Sequence, residues 1–130
     1  MNTAILCVDD EKLVLDSLRI QLSRHYSDRY VLEFAQDANE GLEVIADLAK
    51  VGIQTVLVIS DWMMPGMNGD EFLRKVREKY PNINTMILTG QANEQKMLDI
   101  QQQNITNAII NKPWTELELI STIETLLKST

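Results

Sequence analysis

Short apolar runs alternate along the chain with longer stretches in which apolar residues recur every three or four positions. The runs predict strands over Thr3 to Val8, Val31 to Ala35, Val56 to Ser60, Met86 to Leu88 and Ala108 to Asn111. The stretches between them predict helices. The first covers Glu11 to His25, with Val14, Leu15, Leu18 and Leu22 on one face. The second opens at the capping pattern Asp37-Ala38-Asn39-Glu40, buries Leu42, Ile45, Ala46 and Ala49, and stops at Gly52. A third follows the cap pattern Asn68-Gly69-Asp70-Glu71, carries Phe72, Leu73, Val76 and Tyr80, and stops at Pro81. The fourth, Asn93 to Gln103, has only a thin stripe of Met97, Leu98 and Ile100 and a wholly polar end, Gln101-Gln102-Gln103-Asn104. A Thr115-Glu116-Leu117-Glu118 box opens the last, with Ile120, Ile123 and Leu127 inward. Strict alternation of strand and helix is the pattern of a doubly wound parallel sheet, an α/β fold of five strands and five helices.

The strands are too apolar for one-sided burial, so both faces of the sheet should be covered. In such sheets ligands bind at the carboxyl ends of the strands, which makes the residues there the candidates for chemistry. The first strand ends in Asp9-Asp10, the third in Asp61, the fourth in Thr89-Gly90, and the fifth in Lys112-Pro113. Adjacent strand residues point to opposite faces, so Asp9 and Asp10 share a site only where the alternation breaks. With Asp61 they form a set of hard oxygen ligands suited to Mg²⁺. Taken alone, Asp9-Asp10 reads as well as a cap for the first helix, and Thr89-Gly90 as a turn. Lys112 is a compact charge suited to phosphoryl oxygens, fixed in direction by Pro113, where a cis bond is plausible and would be a deliberate feature.

Composition narrows the classes. At 130 residues the chain is long enough for one domain, 1–130, with a proper core. Its net charge of −7 argues against a nucleic-acid-binding face. No transmembrane-length run or secretory signal is visible, and the single cysteine, Cys7, fits a reducing cytoplasm and a core position. The one histidine, His25, reads as a surface residue, and Met63, Met64 and Met67 as loop packing.

Asp9-Asp10, Asp61, Thr89 and Lys112-Pro113, in this order and at these strand ends, resemble the receiver domain of two-component response regulators. The run Asp61-Trp62-Met63-Met64-Pro65-Gly66-Met67-Asn68-Gly69 is similar to the segment that follows the family's phosphorylated aspartate, and the likeness covers essentially the whole chain. The resemblance implies a flavodoxin-like (βα)5 fold. It implies Asp61 as phosphoacceptor, with a histidine kinase or histidine phosphotransfer domain as donor. Asp10, Asp61 and the Met63 backbone carbonyl would bind Mg²⁺ directly, and Asp9 mainly through water. Lys112 would pair with the phosphoryl group and Thr89 would swing to hydrogen-bond it. The face near the fourth and fifth helices would then change and signal to an output domain or protein. Membrane and nucleic-acid binding are not implied, and there is room for a phosphorylation-dependent homodimer. Such a domain catalyses its own phosphorylation and dephosphorylation and turns over no external substrate. The lifetime of the phosphoryl group would depend on Met63 and Gln91.

One position departs from the family. Three residues before the lysine an aromatic side chain is usual, and here stands Ile109. That keeps open a phosphorylation-independent interaction module with the same fold. A Mg²⁺-dependent phosphohydrolase would need a substrate pocket and a second acid near Asp61, which Trp62-Met63 does not offer. A P-loop enzyme is excluded by the missing Gly-x-x-x-x-Gly-Lys pattern.

Overall fold

The computed structural model describes residues 1–90 and 94–128, without the side chains of residues 94, 96 and 97. Gln91, Asn93 and the Met97 side chain, all singled out in the sequence, lie outside the described residues. The elements in chain order are β1 (Thr3–Val8), α1 (Lys12–Tyr26), β2 (Val31–Ala35), α2 (Ala38–Lys50), β3 (Gln54–Asp61), α3 (Gly69–Lys79), β4 (Asn84–Thr89), α4 (Glu94–Gln103), β5 (Ala108–Asn111) and α5 (Glu116–Lys128). Five parallel strands form one sheet in the order β2-β1-β3-β4-β5. This is the expected doubly wound, flavodoxin-like fold. None of the described helices is long and apolar enough to cross a membrane.

Strand alternation divides the core in two. Ile5, Cys7, Leu57, Ile59, Met86 and Leu88 face α1 and α5, where Leu15, Leu18, Leu22, Leu119 and Ile123 meet them. Leu6, Val8, Val58 and Ile87 face the other layer and pack with Ile45 of α2, Phe72, Leu73 and Val76 of α3, and Ile100 of α4. Cys7 is buried in the first of these cores, and burial pushes its thiol far up, so it is a packing residue. Strand order reverses between β1 and β3. The crevice of a doubly wound sheet opens there, at the carboxyl ends.

β3 and β4 run longer than their apolar stretches. Gln54 and Thr55, Asn84 and Thr85 join the sheet because their backbone groups find partners there: Gln54 N–H donates to Asn2 O at 2.9 Å, and Thr85 pairs in register with Val58. Asp61 is consequently the last strand residue, not the first of the loop. Helix faces also differ in detail. In α2, Ala49 is exposed and Gly41 is buried instead, because a Cβ at position 41 would stand 3.0 Å from both Phe72 and Val8 side-chain carbons. A glycine does not register as apolar, so the close approach of α2 to α3 and β1 shifts the buried stripe unseen. In α5 it is Leu119 with Ile123 that is fully buried, Ile120 and Leu127 being half-buried, and Leu98 of α4 is half exposed.

The cap patterns before α2 and α5 form as the sequence predicts, whereas the N-caps of α1, Glu11, and of α3, Asn68, make no side-chain cap bond. Asp37 accepts from Glu40 N–H at 2.8 Å, while Glu40 reaches back to Gln36 N–H at 3.1 Å. Thr115 Oγ1 accepts from Glu118 N–H at 3.1 Å. Asn68 occupies the N-cap of α3 without capping it, its Oδ1 accepting from Met64 N–H at 3.2 Å and so closing the loop after Asp61. Met64 is buried and Met67 packs on the same core, whereas Met63 is half exposed. His25 is a surface residue whose Nε2 lies 3.0 Å from Glu116 Oε2.

Candidate functional site

The carboxyl end of the sheet gathers the predicted residues from four strand ends. In the register of β1 with β3, Val8 stands opposite Ser60, and one step further Asp9 comes alongside Asp61. Both continue the parity that faces α1 and α5, as does Lys112 after Ile110 of β5. Asp9 is fully buried and Asp61 is 5% exposed, so both carboxylates are largely withdrawn from water. The Lys112 ammonium reaches across β4 to them. Its Nζ lies 3.0 Å from Asp9 Oδ2, 3.1 Å from Asp61 Oδ1 and 3.7 Å from Glu11 Oε1. The Lys112-Pro113 bond is cis. Lys112 N–H donates to Thr89 O at 2.9 Å, which ties the lysine's backbone to the buried Thr89 at the end of β4.

The backbone holds Asp9 and Asp61 in place. Asp9 N–H donates to Ala35 O at 3.1 Å, and Asp9 Oδ1 accepts from Glu11 N–H at 2.8 Å, so the acid turns the chain into α1 while presenting its other oxygen to Lys112. The Asp61 carbonyl accepts from Ser60 Oγ at 2.8 Å. Trp62 N–H donates to Leu88 O at 3.1 Å and Gly69 N–H to Trp62 O at 2.7 Å. Gly69 passes so close that a Cβ there would fall 2.2 Å from the Asp61 carbonyl oxygen, a collision of backbone with backbone that no side chain could relieve. The sequence showed Gly69 only as part of a cap. Its function is to let α3 begin against the end of β3.

Electrostatics mark the cluster as short of positive charge. Burial, followed by the neighbouring Asp9 charge, pushes the Asp61 carboxyl up to about 6 despite Lys112. Burial also raises Asp9, against the opposing pull of the Glu11 backbone N–H and Lys112. For Lys112, burial works to lower the pKa, but the Asp9 hydrogen bond and the charges of Asp61 and Asp9 outweigh it and hold the ammonium above its ordinary value.

Oxygens of Asp9, Glu11 and Asp61 come within 4.8 Å of one another, a group of hard donors that could hold a divalent cation. Glu11 was not anticipated. It follows the acid pair as the N-cap of α1, and a third consecutive acid was the only signal. Asp10 is exposed and stands outside that group, though a hydrogen bond with its side chain contributes in a minor way to the raised Asp61 carboxyl. Met63 sits in the adjoining loop with its side chain half exposed.

A family model described as the response regulator receiver domain matches residues 5–124. Over 125 residues the chain is 29% identical to hybrid signal transduction histidine kinase D of Dictyostelium discoideum, covering 95% of this chain and 7% of that protein. It is 30% identical over 123 residues to the hydrogenase transcriptional regulatory protein HoxA of Cupriavidus necator, covering 94% of this chain and 23% of that one. The chain thus spans a minor part of the curated relatives it matches. Among solved structures, the signal receiver domain of an HD domain-containing protein from Pseudomonas fluorescens Pf-5 superposes with a TM-score of 0.85 at 27% identity, over 99% of this chain and 97% of that one. A CheY-like response regulator receiver domain protein from Methanospirillum hungatei JF-1 gives a TM-score of 0.82 at 29% identity, over 98% and 96%.

Proposed function

The chain belongs to the response regulator receiver domain family of two-component systems, and from that premise we propose that Asp61 is its phosphoacceptor. The observation that carries this reading is the buried Asp61 carboxylate at the switch point of the sheet, held 3.1 Å from the Lys112 ammonium. An oxygen of Asp61 attacks the phosphorus of a phosphohistidine on a histidine kinase or histidine phosphotransfer domain. An O–P bond forms and the P–N bond breaks, and the bonding pair stays on the imidazole, which leaves as a neutral ring once protonated. The product is an acyl phosphate. Lys112 offsets the charge gathered on the phosphoryl oxygens. Thr89, one strand over, turns its hydroxyl to donate to one of them. Water later attacks the same phosphorus, the Asp61 O–P bond breaks, and inorganic phosphate leaves with the carboxylate restored, so the domain acts on itself and turns over no external substrate.

The donor set suits Mg²⁺: hard carboxylate oxygens, more than one ammonium can neutralise, with raised carboxyls that a cation would bring down. Asp10, Asp61 and the Met63 carbonyl would hold it, with Asp9 through water, and Glu11 is within reach as a further ligand. When bound, Mg²⁺ supplies positive charge that lets an anionic donor approach the acids. The phosphorylated state signals through the face near the fourth and fifth helices to an output domain or protein.

Intact mass after incubation with acetyl phosphate and Mg²⁺ tests the assignment. One base-labile phosphoryl group should appear on the parent chain and none on Asp61→Asn. Stoichiometric phosphorylation of Asp61→Asn, or none of the parent, refutes it.

A further inference from the structure

The indole N–H of Trp114, in the turn after β5, donates to Gln21 Oε1 of α1 at 2.8 Å. Neither residue has a part in the strand-end cluster of acids. We propose that Trp114 and Gln21 are positioning residues: their hydrogen bond sets the turn that carries Lys112, and so holds the ammonium where a phosphoryl group on Asp61 needs it. The inference rests on the reading of Asp61 as phosphoacceptor.

The turn needs such a brace. A groove of about 450 Å³ lies between it and α1, with Glu11, Val14, Ser17 and Gln21 on one wall and Lys112 and Trp114 on the other. Side chains therefore cross open space to join the two walls. Lys112 Nζ does so at one end, 3.7 Å from Glu11 Oε1, and Trp114 does so at the other through Gln21. Between Glu11 and Gln21 the helix rises about 15 Å, so the two contacts are separate supports. Pro113, between the two residues of the turn, has no N–H with which to tie it down. The Trp114 ring packs against the core under α1 and α5, and the bond to Gln21 adds a direction that packing alone does not impose.

Placement of the turn matters more for Lys112 than for the acids it faces. Asp61 is the last residue of β3 and Asp9 continues β1, its N–H donating to Ala35 O at 3.1 Å, so sheet register holds both. Lys112 stands past the end of a short strand, Ala108–Asn111, at the end of a long and flexible side chain. A shift of the turn by about 1 Å would carry its ammonium out of hydrogen-bond range of a phosphoryl oxygen and leave the acids, with any cation they hold, undisturbed.

Two-dimensional amide NMR of the full chain tests this by titrating Mg²⁺ and then, with Mg²⁺ saturating, beryllofluoride as a stand-in for the phosphoryl group. Gln21→Leu and Trp114→Phe each remove one side of the bond, and should each weaken beryllofluoride by at least about fivefold, the order of one neutral hydrogen bond. Mg²⁺ should bind both variants no more weakly than the parent, because none of its proposed ligands lies on the turn. Gln21→Glu keeps an acceptor for the indole and should stay within about twofold of the parent. Combining Gln21→Leu with Trp114→Phe should cost no more than the worse of the two alone. Undiminished beryllofluoride affinity in either single variant, a parallel loss of Mg²⁺ affinity, additive losses in the double variant, or a Gln21→Glu chain as impaired as Gln21→Leu overturns the proposal and leaves Asp61 in its role. A parent chain that takes up no beryllofluoride overturns the assignment of Asp61, and this proposal with it.

Discussion

Lys112 on the β5 side of the sheet and Asp9 at the end of β1 meet at 3.0 Å across the two strands that separate them. The same ammonium is 3.1 Å from Asp61, so one cation bridges two carboxylates that share a crevice and would otherwise repel. Lys112→Met should therefore destabilise the fold by about 3–5 kcal/mol near neutral pH, the usual cost of leaving buried charge unpaired. With Lys112 gone, both acids rise further and take up protons sooner as pH falls. The deficit should then shrink on going from about pH 7.5 to about pH 5, as urea unfolding would show. An equal deficit at both pH values means that the ammonium contributes packing and not charge.

Asp61 carries the opposite sign. Its carboxyl is pushed up to about 6 from an ordinary 3.8, so between these values the folded chain holds more protons than the unfolded one. Stability thus falls as pH rises through that window, and above it the full penalty remains. Asp61→Asn removes the charge at nearly constant shape. It should raise stability by roughly 1–3 kcal/mol at about pH 7.5, since the raised carboxyl already includes the pull of Lys112. The gain should vanish near pH 4. An Asn variant less stable than its parent at pH 7.5 contradicts the assigned burial.

The strand-end chemistry was legible because it depends on order along the chain. Asp9, Asp61, Thr89 and Lys112 each close an apolar run, and a doubly wound sheet has only one edge to which the carboxyl ends of all its strands can lead. What escaped is what depends on distance between elements. Gly41 and Gly69 each permit an approach that any Cβ would block, yet both look like ordinary helix glycines in the sequence. Glu11 joins the acid group through the turn that Asp9 makes with its backbone, which no periodicity encodes. Asn68 stands at a cap position, but its side-chain oxygen accepts from Met64 N–H in the loop and not from the first turn of α3, a choice that the cap pattern alone does not encode.

A divalent cation should stabilise the fold and be required for phosphorylation. At a concentration 100-fold above its Kd, Mg²⁺ should add about 2.7 kcal/mol. Trp62, which follows Asp61 and packs against the α2–α4 core, should report binding by fluorescence. Affinity should weaken steadily below about pH 6, because Asp61 must give up its proton to act as a ligand. Glu11→Gln, by removing one of the three grouped acids, should weaken binding without abolishing it. Phosphorylation by acetyl phosphate that proceeds undiminished in excess chelator would end this account.

The polar end of α4 is better held than its composition implies. Gln101-Gln102-Gln103-Asn104 has no apolar anchor and reads as a segment free to move, but α3 grips it. Arg74 donates to Gln103 Oε1, and Arg77 donates to Asn107 Oδ1, to Thr85 Oγ1 at 3.2 Å and, over a long 3.5 Å, to Asn104 O. Asn107 Oδ1 in turn accepts from Thr85 N–H at 2.8 Å, which ties the clamp to β4. Ile109, half-buried on the same face and opposite Ile87, is short and stiff at its first torsion, so it cannot sweep the area that an aromatic ring would. Any rearrangement driven by Thr89 should then be taken up in the part of α4 before Ile100, with residues 101–107 held in place. Amide exchange comparing the apo chain with a beryllofluoride-bound one should show its largest change between residues 94 and 100. Arg77→Ala should cost about 1–2 kcal/mol by leaving Asn107 and Thr85 short of a donor. It should also extend the exchange change through residue 107. If residues 101–107 already dominate the change in the parent chain, the clamp is not what confines the motion.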